Sequence, residues 1–461
     1  MDLILFKTTS IKIRQFLTDF LTKGHERSIK AKKNIIASFI IKGLSIAISL
    51  ALVPLTLNYV NPLRYGIWLT LSSIIVWFGF FDIGLGNGLR NKFAQALSRE
   101  NYVLARIYVS TTYVILSLIM IFVLVLFISF NPFFDWAKIL NAPSNMASEL
   151  SVLTLLVFIF FSLQLVLKLI TSIIMANQQS WEVSLINLIG SFISLLFIYI
   201  LTKTTIGNLI YLAIALGLAP CLVLIIYSYI LYSTKYKAFA PSIRLVHLKY
   251  SNDLLKIGGA FFIIRIGTLV LFQTDNILIS QLLGPQEVTT FNIAFKLFFV
   301  LLMGFDIIMT PLWSAYTEAY EKKDYNWMNN VYKKTKKIWL SLLVITLILF
   351  SLSPTIFKFW IGDIVHIPMK LSFFMCLFVL LNSWVMLHCF LLNGISKIRI
   401  QLYIYIFTIF SNIPLAYYLG KTLGLEGIIL SNLLIYILMG VVLYIQSIKI
   451  LNQTATGLWN K

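Results

Sequence analysis

The sequence predicts an all-α polytopic membrane protein, with about twelve transmembrane helices in two parallel six-helix repeats that form two lobes around a central cavity. Three observations carry this expectation. Hydrophobic residues make up 59% of the 461-residue chain and charged residues only 12%, whereas soluble domains run at about a quarter charged. Apolar stretches of about 20 residues recur from Asn34 to Lys449, each long enough at about 1.5 Å per residue to cross a hydrocarbon core of about 30 Å. Finally, the first half of the chain is echoed in the second.

The predicted spans are 34–60, 65–85, 109–130, 149–175, 182–202 and 206–232, then 254–283, 287–314, 337–356, 369–394, 399–419 and 425–448. The echo holds register across them. Lys42, Pro62 and Tyr102 recur 223 places later as Arg265, Pro285 and Tyr325. Phe81-Asp82-Ile83 returns one place further on as Phe305-Asp306-Ile307. Six spans per half return the chain to its starting side, so the halves insert in the same orientation, related by an axis along the membrane normal. The chain then divides into a basic amphipathic segment over 1–33, an N-lobe over 34–232, a basic linker over 233–253, a C-lobe over 254–448 and a tail over 449–461.

A net charge of +20 raises the question of nucleic acid, but the charges are placed for a bilayer. With the N-terminus in the cytoplasm, about 26 of the 37 Lys and Arg fall in cytoplasmic segments, which is the positive-inside bias and puts both termini there. Basic segments beside an anionic leaflet require no nucleic-acid partner. Trp136 and Trp360 near the outer face, with Trp313 and Trp339 near the inner one, read as interface anchors.

Enzyme motifs are absent from the sequence: no Gly-x-x-x-x-Gly-Lys-Ser/Thr phosphate loop, no His-Glu-x-x-His, no Gly-x-Ser-x-Gly. Cys221, Cys376 and Cys389 sit in apolar spans and read as packing, as does His388 beside Cys389. No external loop is large enough to display catalytic chemistry, which speaks against a membrane polymerase.

Charge inside the spans is the functional signal. Lys42 and Arg265 lie at matched depths in the first and seventh spans, where a cation costs at least about 2.5–3.5 kcal/mol to insert. Across an axis normal to the membrane, the two would stand on opposite walls of one cavity, with Lys296 and Lys168 as further candidates. A cationic cavity suits an anion, phosphate above all. The competing reading is snorkelling, or a structural ion pair with Asp275 or Asp306. Asp275, followed by Asn276, is the only carboxylate deep in a span, and its first-half counterpart is Leu52. Two readings stand for Asp275: a proton- or cation-coupling group, because desolvation makes a carboxylate's charge costly, or a counter-ion for Arg265. Asp82 and Asp306 close the second and eighth spans on the cytoplasmic side, either as a gate with basic loop residues or as helix caps.

The run Phe81-Asp-Ile-Gly-Leu-Gly-Asn-Gly-Leu-Arg-Asn-Lys-Phe-Ala-Gln-Ala-Leu over 81–97 resembles the stretch after the second span of Wzx-type O-antigen flippases. These belong to the superfamily that also holds multidrug exporters of the MATE type. Asn87, Arg90, Asn91 and Lys92 fall in this motif, at a cytoplasmic gate or loop. The resemblance implies a transporter of the bacterial inner membrane that moves undecaprenyl-diphosphate-linked oligosaccharide outward by alternating access. It needs no cofactor, draws on an H+ or Na+ gradient, and is expected as a monomer, with polysaccharide polymerase and chain-length machinery as candidate partners. A MATE-like drug exporter is the alternative; its cavity would sooner carry carboxylates than cations.

Overall fold

The computed structural model describes residues 26–79, 85–177, 179–250 and 259–460, with side chains described from Ile40 onward except at Ser98, Ser180, 259–265, Thr268, Ser314 and Glu318. No strand occurs among the described residues. Ten described helices are long and apolar enough to cross a membrane.

The first, α1 (Glu26–Trp77), holds two crossings in one helix assignment. Its apolar part, Ile40–Trp77, is 38 residues or about 57 Å, nearly twice a bilayer core. The chain breaks at Asn61, whose φ of 70° and ψ of 165° lie outside the helical region, and Pro62 follows. Both arms lie on one side of this break: Lys42 of the first arm stands beside Asp306, and Ser73 of the second beside Asn276. Thus α1 is a hairpin, and its helix runs unbroken from Glu26 through the predicted boundary at 33–34.

The N-lobe continues with α2 (Leu85–Ser98), α3 (Tyr102–Phe130), the short α4 (Trp136–Ile139), α5 (Ala147–Leu167), α6 (Leu169–Ala176), α7 (Ser180–Thr204) and α8 (Leu209–Ser233). The C-lobe comprises α9 (Gly259–Leu283), α10 (Pro285–Glu321), α11 (Tyr325–Ile361), α12 (Met369–Gly394), α13 (Arg399–Leu423) and α14 (Leu425–Leu451). With two crossings in α1, one joint crossing in α5 and α6, and α9 counted, the spans among the described residues number about twelve. The lobes meet where α1 packs against α9 and α10.

Between the lobes the chain is fastened to α3 rather than hanging free. Arg106 Nε donates to the Ala240 carbonyl at 2.9 Å, and the buried hydroxyls of Ser110 and Thr111 accept from the backbone N–H of Ser242 (3.0 Å) and His247 (3.1 Å). Tyr250 closes the strap edge-on against Tyr108. Each such bond contributes about 0.5–1.5 kcal/mol. The double variant Ser110→Ala with Thr111→Val is therefore expected to speed proteolysis within 240–250 several-fold, with the helical bundle intact, as read by limited proteolysis and circular dichroism.

Trp136 departs from the sequence expectation. It is 5% exposed, its indole N–H donates to Asn131 Oδ1 at 2.8 Å, and it packs on Phe127 and Phe134. A tryptophan whose polar atom is satisfied internally belongs to the core, not to a lipid interface. Trp360 also turns inward, donating to the Leu50 carbonyl at 3.0 Å, so it ties α11 to α1.

Candidate functional site

The echo of Pro62 in Pro285 marks matched turns. Asn61 and Gly284 precede these prolines, and both have positive φ, 70° and 101°. The turns pack against each other reciprocally. Thr289 Oγ1 donates to the Pro62 carbonyl at 2.6 Å, while Gly66 lies so close to Pro285 that an added Cβ would stand 1.7 Å from its carbonyl oxygen. Thr289 is the counterpart of Gly66 at the 223-residue offset, so one contact is made twice across the two-fold axis.

Other polar ties between the lobes gather at the same end. Asn141 Nδ2 donates to the Ser280 carbonyl and Ser280 Oγ to the Leu140 carbonyl, each at 2.8 Å, and Gln281 reaches the carbonyls of Lys138 and Ile139. Further along, Asn276 Nδ2 donates to Ser73 Oγ at 2.8 Å. At the end where α1 starts and α14 stops, the polar tie among the described side chains is the 4.0 Å pair of Lys42 and Asp306. Between lies a cavity of about 490 Å³, walled by Ser72 and Ser73 of α1, Phe272 and Gln273 of α9, and Asn292 and Phe295 of α10.

Asp275 faces away from this space, into the C-lobe. It is 4% exposed, and its Oδ2 accepts from Asn432 Nδ2 at 2.7 Å; Asn432 Oδ1 in turn accepts from Asn412 at 2.8 Å. The other carboxylate oxygen has no protein partner and is buried. Beside it is a cavity of about 30 Å³ shared with Asn276, Asn292 and Asn432, enough for a water or a small cation. Asn276 Oδ1 also accepts from Asn292 at 2.7 Å, so consecutive residues on α9 serve the buried cavity and the lobe interface.

The cations predicted from sequence are dispersed. Lys296, half-buried on α10, donates to Tyr65 Oη at 3.1 Å across the lobe boundary. Lys42 and Asp306 lie about 15 Å nearer the end where α1 starts, ten residues along α10 from Lys296. Lys168 is exposed at the joint of α5 and α6 and does not line the inter-lobe cavity. The side chain of Arg265 and the whole of Asp82 lie outside the described residues.

Asp306 does not end a helix, since α10 runs on to Glu321; the capping role considered for it has no helix terminus to serve. Its pair with Lys42 is long and its carboxylate 41% exposed, so Asp306→Asn is expected to change stability by less than about 1 kcal/mol, measured by thermal unfolding in detergent. On α2, Leu85, Leu89 and Phe93 are buried against α3 and α6. Asn87, Arg90 and Asn91 are exposed and Lys92 half-exposed, with Arg90 reaching Met175 Sδ at 3.9 Å. The structure places this set beside the N-lobe, apart from the inter-lobe cavity. Sequence reasoning missed Tyr65, Ser73, Asn292, Asn412 and Asn432. The asparagines carried a signal, being amides in otherwise apolar runs.

Twelve spans, two repeated lobes and a cleft between them define a multi-pass membrane transporter. The model of the family described as polysaccharide biosynthesis protein matches residues 31–317, and this chain belongs to that family. A second model, MatE, matches residues 261–418. A protein of Salmonella typhimurium described as a candidate O-antigen transporter is 22% identical over 417 residues, covering 87% of this chain and 92% of its own. One of Yersinia pseudotuberculosis described as a candidate O-antigen export protein is 23% identical, covering 77% and 81%. Among solved structures, an inward-facing MATE-family multidrug transporter of the MOP superfamily superposes with a TM-score of 0.68 at 16% identity, covering 90% of this chain and 96% of its own. An outward-facing one gives 0.62 at 17%, covering 91% and 95%. These likenesses establish the fold.

Proposed function

We propose that this protein carries an undecaprenyl-diphosphate-linked oligosaccharide from the cytoplasmic to the periplasmic leaflet of a bacterial inner membrane, by alternating access and at the expense of an H+ or Na+ gradient. The observation that carries the reading is the inter-lobe cavity, sealed at one end by reciprocal proline turns and spanned at the other, among the described side chains, by a loose ion pair. The positive-inside bias puts the sealed end outside, so this state receives substrate from the cytoplasm. Lys296 and Lys42, with Arg265 at the depth of Lys42 on the facing lobe, give a diphosphate cations along its path. Asp275, with a free buried oxygen beside a cavity of ion size, is the coupling group.

A MATE-like exporter of cationic drugs fits less well, because no carboxylate is found among the described residues that line the inter-lobe cavity. The relatives described as O-antigen transporters favour the same choice. Reconstitution into vesicles with a fluorescent lipid-diphosphate oligosaccharide tests it. Transfer between leaflets is expected, with Lys42→Ala and Arg265→Ala each slowing it. Wild-type rates in both folded variants would remove the cations from the mechanism.

A further inference from the structure

The outer face of the C-lobe carries an apolar furrow of about 670 Å³, a size typical of ligand clefts. It arises because α11 packs on α12 and touches α14 only lightly, which leaves α12 as the floor of a gap. Phe374, Leu377 and Trp384 lie along that floor, with Leu433 and Ile437 of α14 on one side and Trp339 of α11 on the other. From Phe374 to Trp384 is ten residues, about 15 Å, which is the depth of one hydrocarbon leaflet. Leu340, Val344 and Ile437 on the flanks are exposed, so the furrow opens outward to lipid. It shares no lining residue with the inter-lobe cavity.

One end of the furrow is polar. Trp339 and Trp384 meet there, centroids 4.9 Å apart, and Gly440 of α14 makes room: a Cβ on it would stand 3.0 Å from the Trp384 ring. The Trp339 indole N–H donates to the Leu380 carbonyl and Ser383 Oγ, at 3.2 and 3.1 Å. That of Trp384 has no partner among the described residues. Beyond it, ring contacts run through His388 at 4.7 Å to Tyr332 at 5.8 Å, and Lys336 Nζ caps Tyr332 at 5.7 Å. Tyr332, Lys336 and Trp339 follow at spacings of four and three, so they share a face of α11, and Lys333 lies one turn before Lys336. Neither lysine is paired with a carboxylate among the described residues.

A dry trough one leaflet deep, with cations and an indole donor at its mouth, fits an amphiphile with an anionic head and an acyl chain. The positive-inside bias puts that mouth at the cytoplasmic headgroups, where anionic lipids lie beside Lys and Arg. We infer that the furrow between α11 and α14 is a binding site for an anionic phospholipid of the cytoplasmic leaflet. One acyl chain lies along Trp384, Leu377 and Leu433, and Lys336 with Lys333 meets the phosphate. Leu433 follows Asn432, so the same lipid bears on the helix that holds Asp275.

Brominated lipids, which quench tryptophan on contact, test it on the full-length protein in nanodiscs. The fluorescence difference between the protein and its Trp384→Phe variant isolates that indole; Trp339→Phe serves if the first variant aggregates. In bilayers of unlabelled phosphatidylcholine, brominated phosphatidylglycerol is expected to quench this signal with about fivefold higher relative affinity than brominated phosphatidylcholine, the order of one lysine near an anionic head. Lys333→Gln with Lys336→Gln should cut the preference to about twofold or less. Lys334→Gln with Lys337→Gln, which removes equal charge from another face of α11, should leave it unchanged. Equal affinity for the two lipids, a preference that survives in the first pair, or one lost equally in both pairs overturns the site. So does displacement of brominated phosphatidylglycerol by an equimolar amount of unlabelled undecaprenyl phosphate, which would give the furrow to the tail of the cargo.

Discussion

Asp275→Asn is expected to abolish the response of transport to an imposed ion gradient while leaving substrate binding within about twofold of wild type. Asparagine keeps the size and one oxygen, so the contact with Asn432 can persist. It cannot carry the negative charge that a proton or sodium ion would neutralise. The carboxylate is enclosed, with one oxygen held by Asn432 and the other without a protein partner, beside a cavity of about 30 Å³. Its neighbour Asn276 crosses to Ser73, so occupancy of the cavity has a direct route to the lobe interface. Of two vesicle populations, one with a proton gradient and one with a sodium gradient, the one whose ion accelerates wild-type transport should lose that acceleration in the variant. Gradient dependence unchanged in Asp275→Asn would sink the coupling role.

Gly66→Ala should have the larger structural effect. A Cβ there would stand 1.7 Å from the backbone carbonyl oxygen of Pro285 and 2.5 Å from its carbonyl carbon, and these backbone atoms cannot swing aside. The two turns must separate, which removes the state sealed at that end without touching the core of either lobe. A cysteine pair introduced by Asn141→Cys and Ser280→Cys, whose parents are hydrogen-bonded in the sealed state, reports this directly. Oxidative cross-linking should be efficient in the otherwise wild-type background and fall at least about tenfold with Gly66→Ala. Equal cross-linking in both would mean that the close approach is relieved some other way. Thr289→Ala, its partner across the axis, removes one hydrogen bond and adds no atoms, so its effect should be far milder.

The membrane class, the repeat and the position of the turns were legible because each rests on chain-local information: apolar length, charge, and a proline recurring at a fixed offset. Which way each helix faces was not. Lipid and protein core are both apolar, so the rotation of a span leaves little periodic trace, and side-chain partners from distant spans stay hidden. Asp275 stood out in the sequence, yet Asn432 and Asn412, its connected amides, lie 157 and 137 residues away in α14 and α13. Lys296 was a candidate, but its tie to Tyr65 depends on how α1 folds back at Asn61. Trp136 illustrates the same gap: its place in the chain suggested the lipid boundary, and only the packing of Asn131 beside it brings it inside.

The reciprocal contact of the two proline turns sits close to the two-fold axis, and it has a mechanical consequence. A joint near the axis is a fulcrum with long arms. Lys42 is nineteen residues along its helix from Asn61, an arm of about 28 Å. While the turns hold, a rocking of about 10° moves that end of the lobe by about 5 Å, ample to part a loose ion pair and widen the mouth, with almost no displacement at the fulcrum itself. A small rotation thus suffices at the sealed end, and the bulk of the travel occurs where cargo enters.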